Sequence, residues 1–238
     1  HYRARRQRQM CIRDSFSAGG GISTEFAPHA VAAGAVVVDN SSAFRLDEGV
    51  PLVVPEVNPH DAKEHNGIIA NPNCTTIVTL MALNPMHRAF GGVTSIIASS
   101  YQAVSGSGAQ GIAELEEQID ALANDKPMPE RNVYPHQIAS NVIPQVDVFQ
   151  GNGYTKEEMK MHFEGQKILH APDLKASVTC VRVPVMRSHA VAVTAAFNDK
   201  PSVDAAHEAI NLADGVQVLD EPFALSLIHI SEPTRRDP

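Results

Sequence analysis

The chain has 238 residues, 43% hydrophobic and 19% charged, the composition of an ordinary globular protein with room for a sizeable core. Its net charge of −8 argues against a nucleic-acid partner and against an anionic membrane surface. No apolar run approaches the roughly 20 residues that span a bilayer, and the three cysteines show no framework spacing, so a cytoplasmic enzyme is the expectation.

From Phe16 onward, strand and helix patterns alternate. Residues 35–39 form a β-branched run ending at polar residues, as a buried strand of a parallel sheet does. Residues 52–55 and 67–70 are two more short apolar runs, and residues 75–83 suit a helix that Pro85 disturbs near its end. A strand over 93–99 leads into a Ser/Gly loop at 105–108 and then a helix over 109–124 rich in Ala, Glu and Leu. Residues 125–153 are rich in Pro and Asn and read as irregular. Thr155 is the expected N-cap of a helix running to about Leu169, with Glu157 and Glu158 in its first turn. Strands over 176–185 and 190–197, a helix over 202–213 and a last strand over 216–219 follow. The alternation predicts an α/β fold.

Cys74, in NPNCTTI at 71–77, stands where a strand passes through Asn-Pro-Asn into a helix. A thiol there faces the positive end of the helix dipole and unpaired backbone N–H groups, which favour the thiolate and could hold an oxyanion. The competing reading is a small buried hydrophobe, which is how Cys180 in its apolar run reads. A cysteine nucleophile needs a base. His189 stands out among the histidines because it follows RVPVMR at 182–187. Fully extended, Arg182 and His189 would be about 23 Å apart, so they reach one substrate only if the chain turns around Arg187 and Ser188. Otherwise they are an edge-strand arginine and an exposed histidine. Glu157 and Lys160 share a helix face and could be a surface ion pair. Arg45 follows a polar loop after a strand end, where α/β enzymes place ligands. The glycine-rich loops around Ser17 and Gly19, and around Ser105 and Gly106, could each approach a phosphate through backbone N–H groups. No metal-ligand spacing is present.

These segments together resemble aspartate-β-semialdehyde dehydrogenase: SAGGGIS at 17–23, DNSSAFRLDEGVPLVVPEVN at 39–58, NPNCTT at 71–76, SSYQAVSGSG at 99–108, NVIPQVDVF at 141–149, GYTKEEMK at 153–160 and CVRVPVMRSH at 180–189. They stand in family order across residues 16–224. The resemblance implies a Rossmann-like NADP-binding domain ending near residue 75 and an α+β catalytic and dimerisation domain over 76–224. It implies reversible, NADP-dependent reductive dephosphorylation of β-aspartyl phosphate to aspartate semialdehyde, leading to lysine, threonine and methionine, in a homodimer or homotetramer. It further implies Cys74 as nucleophile and His189 as acid/base. Gln102, Glu157 and Arg182 would bind substrate, Arg45 and Lys160 phosphate, and Ser105, Gly106, Ser17 and Gly19 the cofactor. Asn73 would shape the nucleophile's loop. Two alternatives remain open: a relative such as N-acetyl-γ-glutamyl-phosphate reductase, which also uses a cysteine, and an inert fragment serving only as an interaction surface.

The ends read differently. QMCIRDS at 9–15 and LSLIHIS at 225–231 are translations of one base sequence and of its reverse complement, which resembles the transposase ends used in library adapters. Residues 1–15 and 225–238 are therefore expected to be non-native. The family's first glycine fingerprint and terminal helix are expected to be missing, leaving this polypeptide impaired in folding and NADP binding.

Overall fold

The protein is described from a computed structural model over residues 13–219. Within that range the chain forms two compact units. The first takes the residues up to 94, with 160–175 and 197–216; the second takes 95–159, 176–196 and the residues from 217. Within the first unit, the helix that starts at Cys74 packs against a helix from near the far end of the chain.

In the first unit β1 (Arg13–Phe16), β2 (Val36–Asp39) and β3 (Ile68–Ala70) form a parallel sheet in the order β1-β2-β3. Registers run from Arg13 opposite Val36 to Phe16 opposite Asp39, and from Val37 opposite Ile68 to Asp39 opposite Ala70. β1 thus begins inside the segment read as non-native, with Arg13, Asp14 and Ser15 paired to Val36, Val37 and Val38. Between β1 and β2 runs α1 (Gly20–Ala32), a helix hidden in the sequence behind three glycines and continuous through Pro28. It is fastened to the sheet by Ser23 Oγ, which donates to the buried Asp39 carboxylate at 2.6 Å.

The run at 52–55 shrinks to one parallel bridge, Leu52 to Ala70. The buried Asn58 side chain accepts the Val54 N–H and donates to the Leu52 carbonyl, each at 2.8 Å, so those backbone groups are not available to a ladder. α2 (Cys74–Ala89) continues through Pro85 for another turn, and α5 (Val203–Asn211), capped by Ser202, packs on it. The strand expected at 216–219 does not form; Gly215, at φ 76°, turns the chain away after α5.

In the second unit β4 (Val93–Gln102) lies between β5 (Lys175–Arg182) and β6 (Ala190–Phe197), with a few terminal residues of these strands belonging to the first unit. α3 (Gly108–Ala123) organises the irregular stretch that follows it. The Glu114 carboxylate accepts the N–H groups of Asn132 and Val133, and Gln118 Oε1 those of Ile138 and Ala139. Both side chains are buried, so a segment with few ladder bonds still has its backbone paired. Val104, Leu115, Tyr134, Ile138, Ala139 and Ile143 form the adjoining core. α4 (Lys156–Ile168) starts at Thr155 as expected, with a reciprocal cap: Thr155 N–H donates to Glu158 at 2.7 Å and Glu158 N–H to Thr155 Oγ1 at 3.3 Å. The first turn of α4 belongs to the second unit and the rest to the first. No helix among the described residues is long and apolar enough to cross a membrane.

Candidate functional site

The parallel sheet of the first unit ends at three loops, which carry Ser17 and Gly19, Asn40 to Arg45, and Asn71 to Cys74. Ligands of open α/β sheets bind at such carboxyl ends. The loops are knit by side-chain amides: Asn40 Nδ2 donates to Ser17 Oγ at 3.3 Å and Asn71 Nδ2 to Asn40 Oδ1 at 2.7 Å. Gly19 precedes α1 at φ 98°, a conformation only glycine adopts freely. A methyl group added at Gly19 or Gly21 would meet no atom within 4 Å, and the first turn of α1 bears no acidic side chain. An open, uncharged helix start of this kind fits an anionic phosphate group.

Asn73 is the N-cap of α2, its Oδ1 accepting the N–H groups of Thr75 at 3.0 Å and Thr76 at 3.3 Å. Cys74 is the first helical residue, and its thiol is exposed. The small buried hydrophobe reading is thereby excluded for Cys74, whereas Cys180 is fully buried in β5. The helix terminus favours the Cys74 thiolate.

Arg45 is buried, and three of its five N–H donors are committed: Nε to the Asn71 carbonyl at 2.9 Å, Nη2 to the Asn40 carbonyl at 3.1 Å, and Nη1 to Glu164 at 3.1 Å. Glu164, on α4, also accepts the Asn73 N–H at 2.7 Å. Burial raises the pKa of Glu164, opposed by the Arg45 charge and the Asn73 N–H. Lys160 lies half-buried one turn earlier on α4.

The second unit gathers the remaining side chains. Gln102, at the end of β4, is 1% exposed, and its Nε2 donates to Ser100 Oγ and to Glu157 Oε1, both at 3.2 Å. Glu157 and Arg182 are buried as well. Arg182 Nη1 donates to the Ala103 carbonyl at 2.6 Å, and the Ala103 N–H donates to His189 Nδ1 at 3.1 Å. The turn required between Arg182 and His189 is present, with Ser188 in the left-handed region at φ 71°. Their convergence is visible at Gly106, where an added methyl carbon would lie 2.9 Å from Arg182 Nη1 and 3.2 Å from both His189 Cε1 and Nε2. Ser105 is half-buried, Gly106 exposed.

Accepting the Ala103 N–H leaves Nδ1 of His189 without a proton, so the neutral ring carries its proton on Nε2. Burial, and secondarily the Arg182 charge, lower the His189 pKa, while Glu157 opposes them. The unit therefore offers a buried guanidinium, a buried carboxylate with its amide partner, and an imidazole whose proton sits on a known nitrogen. A small zwitterion beside a proton donor is the ligand chemistry this set suits. The sequence did not mark two of the groups involved. Glu164 looks like one more glutamate of a charged helix, and the Ala103 backbone has no side-chain signal.

Residues 15–65 match the family model described as semialdehyde dehydrogenase, NAD binding domain, and residues 83–237 match semialdehyde dehydrogenase, dimerisation domain. These matches define an α/β protein with a dinucleotide-binding part and a dimerisation part. Aspartate-semialdehyde dehydrogenase of Aquifex aeolicus is 48% identical over 209 residues, which cover 87% of this chain and 61% of that protein. That of Bacillus subtilis is 49% identical over 214 residues, covering 87% and 62%. The crystal structure of aspartate semialdehyde dehydrogenase II complexed with ASA from Vibrio cholerae superposes with a TM-score of 0.84 at 47% identity, covering 87% of this chain and 62% of that one. The chain belongs to the semialdehyde dehydrogenase family, and it spans about three fifths of the length of these relatives.

Proposed function

We propose that this protein acts in the cytoplasm to convert β-aspartyl phosphate to aspartate semialdehyde with NADP, on the route to lysine, threonine and methionine. The observation that carries the reading is Cys74, an exposed thiol on the first turn of a helix at the carboxyl end of a parallel sheet. It occurs in a chain 48% identical to an aspartate-semialdehyde dehydrogenase.

In this reading the Cys74 thiolate attacks the acyl carbon, the C–O bond to phosphate breaks, and a thioester forms. Backbone N–H groups at the start of α2 stabilise the transient oxyanion. NADP, when bound, supplies the two-electron chemistry, with Ser17, Gly19, Ser105 and Gly106 holding it. His189 Nε2–H hydrogen-bonds the carbonyl oxygen and stabilises the thiohemiacetal anion that forms there as the thioester is reduced, until the C–S bond breaks and the aldehyde and thiolate separate. Arg182 pairs with the substrate carboxylate, Glu157 with its ammonium, and Gln102 orients it. Arg45 and Lys160 receive the phosphate, Arg45 through the two N–H donors not committed to the protein. A homodimer or homotetramer would cover Val142, Val148 and Phe149, which are 58%, 63% and 59% exposed.

The test is phosphate-dependent NADP reduction with aspartate semialdehyde, with Cys74→Ala as control. The reading predicts turnover that the substitution abolishes; no turnover above the control would overturn it. Preference for N-acetyl-γ-glutamyl semialdehyde would favour the related reductase, but the buried Glu157 suits a free ammonium better than an acylated nitrogen.

A further inference from the structure

Glu164 is 2% exposed, and a carboxylate so buried is costly unless its oxygens are bonded. Here the two oxygens divide their work. Oε2 accepts the Asn73 N–H at 2.7 Å, and Oε1 accepts from Arg45 Nη1 at 3.1 Å. Arg45 in turn donates through Nε to the Asn71 carbonyl at 2.9 Å. The two ends of the Asn71-Pro72-Asn73 turn are therefore gripped by the two members of one ion pair. Asn73 passes that constraint on, because its side chain caps the helix whose first residue is Cys74. A buried ion pair adds little to stability compared with well-packed apolar groups, so stability alone is a weak reason for this arrangement.

We propose that Glu164 is a positioning residue for Cys74: with Arg45 it clamps the turn before the nucleophile, fixing the direction of the thiol and setting the local charge it feels. The inference rests on the reading of Cys74 as nucleophile. Two consequences separate the clamp from a plain structural contact. Glu164→Gln keeps a carbonyl oxygen to accept the Asn73 N–H but removes a negative charge near the thiol, so the thiolate forms more readily. Glu164→Ala removes the acceptor too and frees the turn.

The experiment measures iodoacetamide alkylation of Cys74 against pH, by peptide mass spectrometry, in the chain and in both variants. The fully buried Cys180 serves as an internal unreactive reference. Thermal unfolding of each protein and steady-state rates are recorded alongside. Glu164→Gln is expected to move the alkylation midpoint down by roughly one pH unit, with an alkaline rate within about twofold of the parent. Glu164→Ala is expected to lower kcat about tenfold with little change in KM, and Glu164→Gln to recover most of that loss. An unchanged midpoint in folded Glu164→Gln overturns the proposal, as does a Gln variant no better than the Ala variant. Should the Ala variant fail to fold, the Gln midpoint decides alone. If Cys74→Ser retains activity, the functional reading fails, while the alkylation profile still decides whether the clamp acts on the thiol.

Discussion

Gly106→Ala is the sharpest perturbation of the second unit's cluster. The new methyl carbon would stand 2.9 Å from Arg182 Nη1 and 3.2 Å from His189 Cε1 and Nε2, closer than ordinary contact by several tenths of an ångström. Neither neighbour can retreat freely. Arg182 Nη1 is held by the Ala103 carbonyl at 2.6 Å, and His189 Nδ1 by the Ala103 N–H at 3.1 Å. Gly106 itself lies outside the left-handed region and is exposed, so the backbone accepts alanine without strain. The cost therefore falls on the placement of the proton donor and the guanidinium. A displacement of about 1 Å in a reacting group can cost about a hundredfold in rate, so a shift of a few tenths should cost about tenfold in kcat/KM. The assay is steady-state turnover of the variant with a parallel thermal melt, whose midpoint should move by less than about 3 °C. Full activity in the variant, or a loss explained by unfolding, would show that the room left by Gly106 does not set the placement of Arg182 and His189.

Two further outcomes follow from the same geometry. Asn73→Ala removes the acceptor of two helix-start N–H groups, at 3.0 and 3.3 Å, and should cost about 1–2 kcal/mol in urea unfolding; a change below about 0.3 kcal/mol would show that the cap is replaceable. His189 has a pKa below its ordinary 6.5, so the stability it contributes as a neutral ring is present above pH 6.5 and is lost as pH falls through its lowered value. The acid limb of kcat/KM should accordingly lie below pH 6.5, shift upward in Arg182→Met and shift further down in Glu157→Gln; a limb that ignores both substitutions would remove His189 from the reaction.

Much of the fold was legible because periodicity and turn chemistry agreed. Residues 190–197 and the Thr155-capped helix form where the pattern put them. The misreadings share a cause, which is hydrogen bonding the pattern does not display. Asn58 takes the backbone groups that a strand at 52–55 would have used. α1 begins in glycines that read as a loop, yet Ser23 ties it to Asp39. Pro85 disturbs the helix pattern near its end, but α2 runs on to Ala89. At the site, residue types marked Cys74, Arg182 and His189, and chain length showed that a turn had to join the last two. Residue types did not show that the Ala103 backbone is the hub of that turn, bonding both side chains through its carbonyl and its N–H. Nor did they show that Glu164 and Arg45 close on the turn before the nucleophile.

The most direct measurement is peptide mass spectrometry of the protein mixed with β-aspartyl phosphate in the absence of reduced NADP and quenched in acid. The account predicts an aspartyl group joined as a thioester to Cys74, released by hydroxylamine and absent from Cys74→Ser. Turnover without that adduct, or an adduct on another residue that survives in Cys74→Ser, would contradict it.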